Sequence, residues 1–136
     1  MKKALLLAAA AVIILFSSSC TKHFDNNISE PDYGLDRNVS LKVIEPVYAD
    51  NLKPGNTYSI KWDVPSAIKN VTLALYRKNV YQCEIATNIK NSGETTWSVP
   101  QGIFQSVHYT IKVYDPRFPD FYYAYSQNFY VKADWE

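Results

Sequence analysis

The chain has 136 residues, with 14 Lys and Arg against 13 Asp and Glu and a formal net charge of +1. That length allows one domain with a modest core. The charge balance argues against a nucleic-acid partner, which calls for a basic stripe, and against attachment to anionic lipid through protein charge.

The chain opens Met1-Lys2-Lys3, and Ala4 to Phe16 then runs without a polar side chain. A membrane-crossing helix needs about 20 apolar residues and a secretory signal core about 7–15, so these thirteen predict a signal peptide over residues 1–19. Ser17, Ser18 and Ser19 give the small residues a peptidase pocket requires, and Cys20 follows. An ordinary cleavage site has no use for that cysteine. The stretch resembles the bacterial lipobox, with Ser18, Ser19 and Cys20 nearest the cut and Ser17 where a leucine is usual. The resemblance implies a diacylglycerol on the Cys20 thiol and cleavage that leaves Cys20 as the new N-terminus. The alternatives are a plain secretory signal with an incidental cysteine, or an uncleaved anchor. One acyl chain holds a protein marginally and two hold it stably, so a diacylated Cys20 is a lasting attachment to the membrane of a bacterial cell envelope. Thr21 stands where an aspartate would favour inner-membrane retention, so the outer membrane is expected rather than the inner.

Cleavage leaves 117 residues, in which twelve basic groups face thirteen acidic ones for a net charge of −1. Residues 21–38, TKHFDNNISEPDYGLDRN, are polar and show neither hydrophobic period. With Cys20 they read as a tether over 20–38. Its eighteen residues after the cysteine reach about 60 Å fully extended and about 20–25 Å as a coil. With Cys20 lipidated, Cys83 has no partner in the chain. It is expected as a small buried hydrophobe, the alternative being a disulfide to an unprocessed Cys20.

From residue 39 to 136 the signal is period two. Val39, Leu41 and Val43 alternate with polar residues, as do Tyr58, Ile60, Trp62 and Val64, then Val71, Leu73 and Leu75, then Thr95, Trp97 and Val99, then Val107, Tyr109, Ile111 and Val113. Such alternation marks half-buried strands, and Val, Ile, Thr, Tyr and Trp suit a pleated surface. Turn signals separate the runs: Lys53-Pro54-Gly55-Asn56, Asn91-Ser92-Gly93, Pro100-Gln101-Gly102 and Asp115-Pro116. The expectation is an all-β antiparallel sandwich of seven to eight strands, immunoglobulin or fibronectin III-like, each sheet wetting one face.

The run Leu52 to Trp62, LKPGNTYSIKW, resembles the opening of the N-terminal domain of fungal cell-wall β-1,6-glucan synthesis proteins, the Ser-Thr-rich glycosylphosphatidylinositol-anchored membrane family. Val71 to Tyr76, Ile85 to Gly93, Thr96 to Pro100, Tyr109 to Val113 and Ser126 to Val131 resemble its later segments in the same order. The resemblance spans about residues 40 to 132 and implies an extracytoplasmic immunoglobulin-like fold; Trp62 and Trp97, on the apolar faces of their runs, are expected to fill the core between the sheets. It implies no catalytic residues.

Enzyme constellations are missing from the sequence. It has no Gly-x-Ser-x-Gly elbow and no phosphate-cradling glycine loop. His23 falls in the tether and His108 on the polar face of a strand, neither at metal-ligand spacing with a second His or Cys. Asp115 and Asp120 flank a loop, where capping is a simpler role than a calcium site, which needs about six oxygen ligands. No catalytic group, metal or cofactor is expected. Residues 114–125, YDPRFPDFYYAY, hold six aromatics around two prolines. One reading packs them into the core. The other makes Phe118, Phe121 and Tyr122 a rigid contact surface with Arg117 as its polar anchor, since tyrosine-rich loops give contact area at low entropic cost. The function expected is a lipid-anchored envelope protein with a non-catalytic binding module for a glycan or an envelope protein. The alternative is a structural subunit or spacer of an envelope assembly.

Overall fold

The computed structural model describes residues 40–134. The signal segment, Cys20, the tether, Val39 and the last two residues lie outside the described residues. The described residues hold no helix and eight strands: β1 (Lys42–Glu45), β2 (Thr57–Asp63), β3 (Asn70–Arg77), β4 (Val80–Lys90), β5 (Glu94–Ser98), β6 (Ser106–Tyr114), β7 (Tyr123–Tyr125) and β8 (Phe129–Val131). They form two antiparallel sheets. The smaller runs β1-β2-β5; the larger runs β4-β3-β6-β7, with β8 also pairing β6. The all-β sandwich read from the alternation is the observed fold.

The alternating residues face each other across the two sheets. Val43, Ile60, Trp62 and Trp97 come from the smaller sheet, and Leu73, Leu75, Ile111, Val113, Phe129 and Val131 from the larger; all are buried. Each such side chain contributes about 1.5–3 kcal/mol by leaving water. Trp62 also satisfies its polar end: its Nε1–H donates to Asn91 Oδ1 at 2.8 Å. The Asn91 Nδ2 group donates in turn to the carbonyls of Val64, Pro65 and Ile68 at 3.1, 3.1 and 2.9 Å. One amide thus ties the core indole to the loop between β2 and β3.

Turns follow local backbone chemistry. Gly55 sits at φ +84° and its N–H donates to Val99 O at 2.7 Å, so this close approach is made where a glycine tolerates the left-handed region. Lys78 and Asn79 join β3 to β4 with φ of +50° and +64°, the two-residue geometry whose twist matches paired strands. After β1 the chain crosses to the larger sheet. Tyr130 N donates to Asp50 O at 2.7 Å and Leu52 N to Tyr130 O at 2.8 Å, so residues 50–52 run parallel to β8.

Three features depart from simple alternation. First, β4 has eleven residues, yet its pairing with β3 shifts register in three places and Asn88 takes φ +49°. Each bulge adds a residue to one strand, which scrambles the period-two pattern. Second, Val71 to Leu75 are all buried, so β3 is covered on both faces rather than wet on one. Its outward Thr72 and Ala74 lie opposite Tyr114 and Lys112, close enough for those long side chains to roof them. Third, Cys83 is exposed rather than a buried hydrophobe, and it forms no disulfide among the described residues. It lies on β4, an edge strand that pairs with β3 alone, and partial desolvation still pushes its thiol up from the usual range.

Candidate functional site

The structure divides the aromatic loop that the sequence singled out. The Tyr122 N–H and the Phe121 N–H both donate to Phe118 O at 3.1 Å, and Tyr122 O accepts from Asp115 N at 2.9 Å. These bonds wind the loop tightly and carry Tyr122 into the core, where it is 9% exposed. Phe118 packs against the core from its rim. Phe121 is exposed at 44%. Asp115, fully buried, accepts the Arg117 N–H at 2.9 Å and faces the Arg117 guanidinium at 3.4 Å. The loop is therefore organised by an aspartate cap, in the role expected of Asp115. A single exposed platform of Phe118, Phe121 and Tyr122 is not formed, because two of the three rings turn toward the core.

The exposed aromatic surface lies on the outer face of the larger sheet instead. Residues two apart on a strand share a face, which puts Lys112 with Tyr114 on β6 and Tyr123 with Tyr125 on β7. The pairing sets Lys112 opposite Tyr125 and Tyr114 opposite Tyr123. The Lys112 ammonium lies 5.1 Å from the Tyr114 ring centre, 4.8 Å from Tyr123 and 5.7 Å from Tyr125, within cation–π range of all three. Tyr76 of β3 extends the surface, meeting Tyr125 edge-on at 5.4 Å and Tyr81 of β4 at 5.8 Å. Tyr123 and Tyr125 meet edge-on at 5.9 Å. Partial desolvation pushes the Tyr114, Tyr125 and Tyr81 phenols above the usual tyrosine range; Glu84 adds to the rise at Tyr114 and Tyr81, and Tyr76 at Tyr125. All three stay neutral hydroxyls at physiological pH.

Clefts open along the border of this face. One, of about 550 Å³, is lined by Tyr48, Asn79, Thr110, Tyr125 and residues 126–128. It lies within the roughly 300–1,000 Å³ of ordinary ligand sites. A second, of about 290 Å³, is lined by Lys78, Asn79, His108 and Asn128. A third, of about 280 Å³, runs between β1 and β7 and includes Lys42, Tyr125 and Gln127. His108 is exposed, as expected of the polar face. Tyr48 N donates to Gln127 Oε1 at 3.0 Å, which fixes that amide at the cleft wall. Flat rings, planar amides and hydroxyls converging on open grooves can stack on an apolar ring face and bond to the hydroxyls around it.

Part of this site is legible in the sequence. Tyr114, Tyr123 and Tyr125 belong to the aromatic run of residues 114–125, whereas Tyr76, Tyr81 and Lys112 fall outside it. The signal for Lys112 was available in the alternation Thr110, Lys112, Tyr114 opposite the core residues of β6. Among the described residues no group of three or more His, Cys, Asp and Glu stands together as a metal site.

The family model for the Kre9/KNH-like N-terminal Ig-like domain matches residues 45–131. No curated protein matches the chain. The matched span starts on the last residue of β1 and ends on the last residue of β8, so it takes in the sandwich and the tyrosine face together. A domain of this kind is a binding or structural module. The match covers more than half of the chain, and its Ig-like description agrees with the two antiparallel sheets. The protein therefore belongs to the Kre9/KNH-like N-terminal Ig-like domain family.

Proposed function

We propose that the protein is a lipid-anchored bacterial envelope protein whose Ig-like domain binds a glycan, without catalysis, on the tyrosine face and its bordering clefts. The observation that carries this reading is Lys112 set among the rings of Tyr114, Tyr123 and Tyr125 on an exposed sheet face. A pyranose presents an apolar C–H face and a rim of hydroxyls. Half-exposed tyrosines match the first, and the side chains of Asn79, Gln127 and Asn128 match the second. Two-ring-angle side chains already packed edge-on lose little further freedom when a ligand settles on them. Cys20 supplies the anchor to the outer membrane, and the tether lifts the domain off it.

A glycan array probed with the detergent-solubilised full chain tests the binding. Binding should appear and should be lost in Tyr123→Ala and Tyr125→Ala. No glycan binding, together with one stoichiometric protein partner recovered from solubilised membranes, would replace this reading with a structural subunit. Cys20→Ala should release the protein from the membrane fraction. Mass spectrometry of the wild type should show an acylated N-terminal cysteine, and an intact Met1 would refute the anchor.

A further inference from the structure

The three clefts are one track. Tyr125 and Gln127 line both the first and the third, and Asn79 and Asn128 line both the first and the second. The outward residues of β6 run alongside: Tyr114, Lys112, Thr110 and His108, spaced two apart. At about 3.3 Å per residue this row spans roughly 20 Å, the scale of a short linear oligosaccharide rather than of a single sugar.

Charge along the track is one-sided. Its lining includes Lys42 and Lys78, with Lys112 beside it, and no Asp or Glu among the described residues. Eight acidic residues fall among the described residues, and none of them lines these clefts. The ion pairs seen among the described residues occupy Lys53, Lys61 and Arg117 and engage none of the lysines of the track. Two carboxylates stand near: Glu84 of β4, whose charge is felt at Tyr81 and Tyr114, and Asp50, whose Oδ2 accepts the Val47 N–H at 2.9 Å beside the third cleft. Glu84 sits on β4, two strands from β6, and lines none of the three clefts. Lys42, Lys78 and Lys112 thus put cationic groups at both ends and the middle of the track.

Resting on the glycan-binding reading above, we infer that the ligand is a linear acidic glycan, bearing carboxylate or sulfate groups. Its anionic groups meet Lys112, Lys78 and Lys42 while its sugar rings lie against Tyr125 and Tyr48. Amide and hydroxyl donors of the cleft wall bond to the same groups.

The test is affinity electrophoresis of the full chain in gels holding polygalacturonate, alginate or chondroitin sulfate, with carboxyl-reduced polygalacturonate and dextran as neutral counterparts. At least one acidic polymer should retard the protein and neither neutral one should. Retardation should weaken steeply as salt rises from about 0.05 to about 0.5 M, since exposed charge pairs are screened. Lys112→Gln and Lys78→Gln should each lower affinity about two- to fivefold, the scale of one exposed charge pair, and Tyr125→Ala should abolish it. Retardation by neutral polymers that Tyr125→Ala removes and the lysine variants leave intact would overturn the acidic class while keeping the glycan site. Retardation by no polymer would overturn both.

Discussion

Truncating Tyr125 separates a binding surface from a second core. Tyr125 is 47% exposed, so about half of a side chain that can bury roughly 150–250 Å² leaves water on folding. At about 25 cal/mol per Å² this is worth about 2–3 kcal/mol as an upper bound. The edge-on contacts with Tyr76 and Tyr123 add little more at a wet site, and Lys112 keeps two other rings when this one is removed. The site is open, so no enclosed void is left to add a cavity cost. Tyr125→Ala should therefore lower the unfolding free energy by about 2 kcal/mol. Trp62→Ala, made where the side chain is 3% exposed, should cost about 3–5 kcal/mol. The assay is urea denaturation followed by circular dichroism at neutral pH. A loss at Tyr125 equal to that at Trp62 would show that the tyrosine layer is core and would sink its reading as an open surface. A loss under about 0.5 kcal/mol, the scale of an ordinary surface change, would show that the rings do not pack.

The loop and the scaffold give further expected outcomes. Phe118→Ser should destabilise the domain measurably in the same assay, because Phe118 packs on the core, whereas Phe121→Ser should stay within about 0.5 kcal/mol of wild type; equal effects would contradict the division of the loop. Asn91→Ala removes the acceptor of the Trp62 indole and the donors to three carbonyls, and at about 1 kcal/mol per net bond, not fully additive, it should cost about 2–4 kcal/mol. A denaturation midpoint unchanged in that variant would show that water replaces the amide. Alkaline stability follows from Tyr109, Tyr114 and Tyr125, whose phenols burial holds above their ordinary range. The folded state then keeps protons that the unfolded chain releases above about pH 10. Their contribution is fully present below that pH and is lost as pH rises further, so the unfolding free energy should fall as pH rises above about 10; a rise over that window would reverse the assigned direction.

The parts of the fold that were legible in the sequence are those where one face meets the core and the other does not. Ile60 and Trp62 in β2, and Ile111 and Val113 in β6, alternate cleanly with polar neighbours and are buried where the period places them. What was illegible has a physical cause in each case. The bulges of β4 put Cys83 and its neighbours out of phase with any two-residue rule. Thr72 and Ala74 read as outward and wet, yet they are buried under a layer of long side chains from the next strand. The aromatic loop misled for a related reason. Composition marks residues 114–125 as rich in rings, but whether a ring turns in or out depends on the Asp115 cap and the Phe118 carbonyl, which wind the loop. Lys112 is an ordinary polar position in β6 until β7 pairs alongside and supplies two of its three rings.

The cleft beside Tyr125 exists because β7 and β8 are not one strand, and Ser126 makes that break. Its backbone N–H donates to Ile111 O at 2.8 Å as a ladder partner would. Its side-chain Oγ then accepts the Ile111 N–H at 2.8 Å and donates to Gln127 O at 2.9 Å. The hydroxyl thus takes the place of the carbonyl that a continuing strand would present, and the backbone is freed to leave β6 before rejoining it at Phe129. Gln127 and Asn128, on the detour, become cleft wall. Ser126 is 7% exposed, so Ser126→Ala strands a buried N–H at a cost of about 1–3 kcal/mol. Two responses can follow: the N–H stays unpaired, or the strand straightens to pair it and the cleft closes. Either raises the hydrogen-exchange rate of the Ile111 amide or shifts the Gln127 and Asn128 amide resonances, and the second also lowers retardation in the acidic gels. If Ser126→Ala leaves Ile111 exchange, those resonances and stability all unchanged, the hydroxyl does not hold the break open and the cleft has another origin.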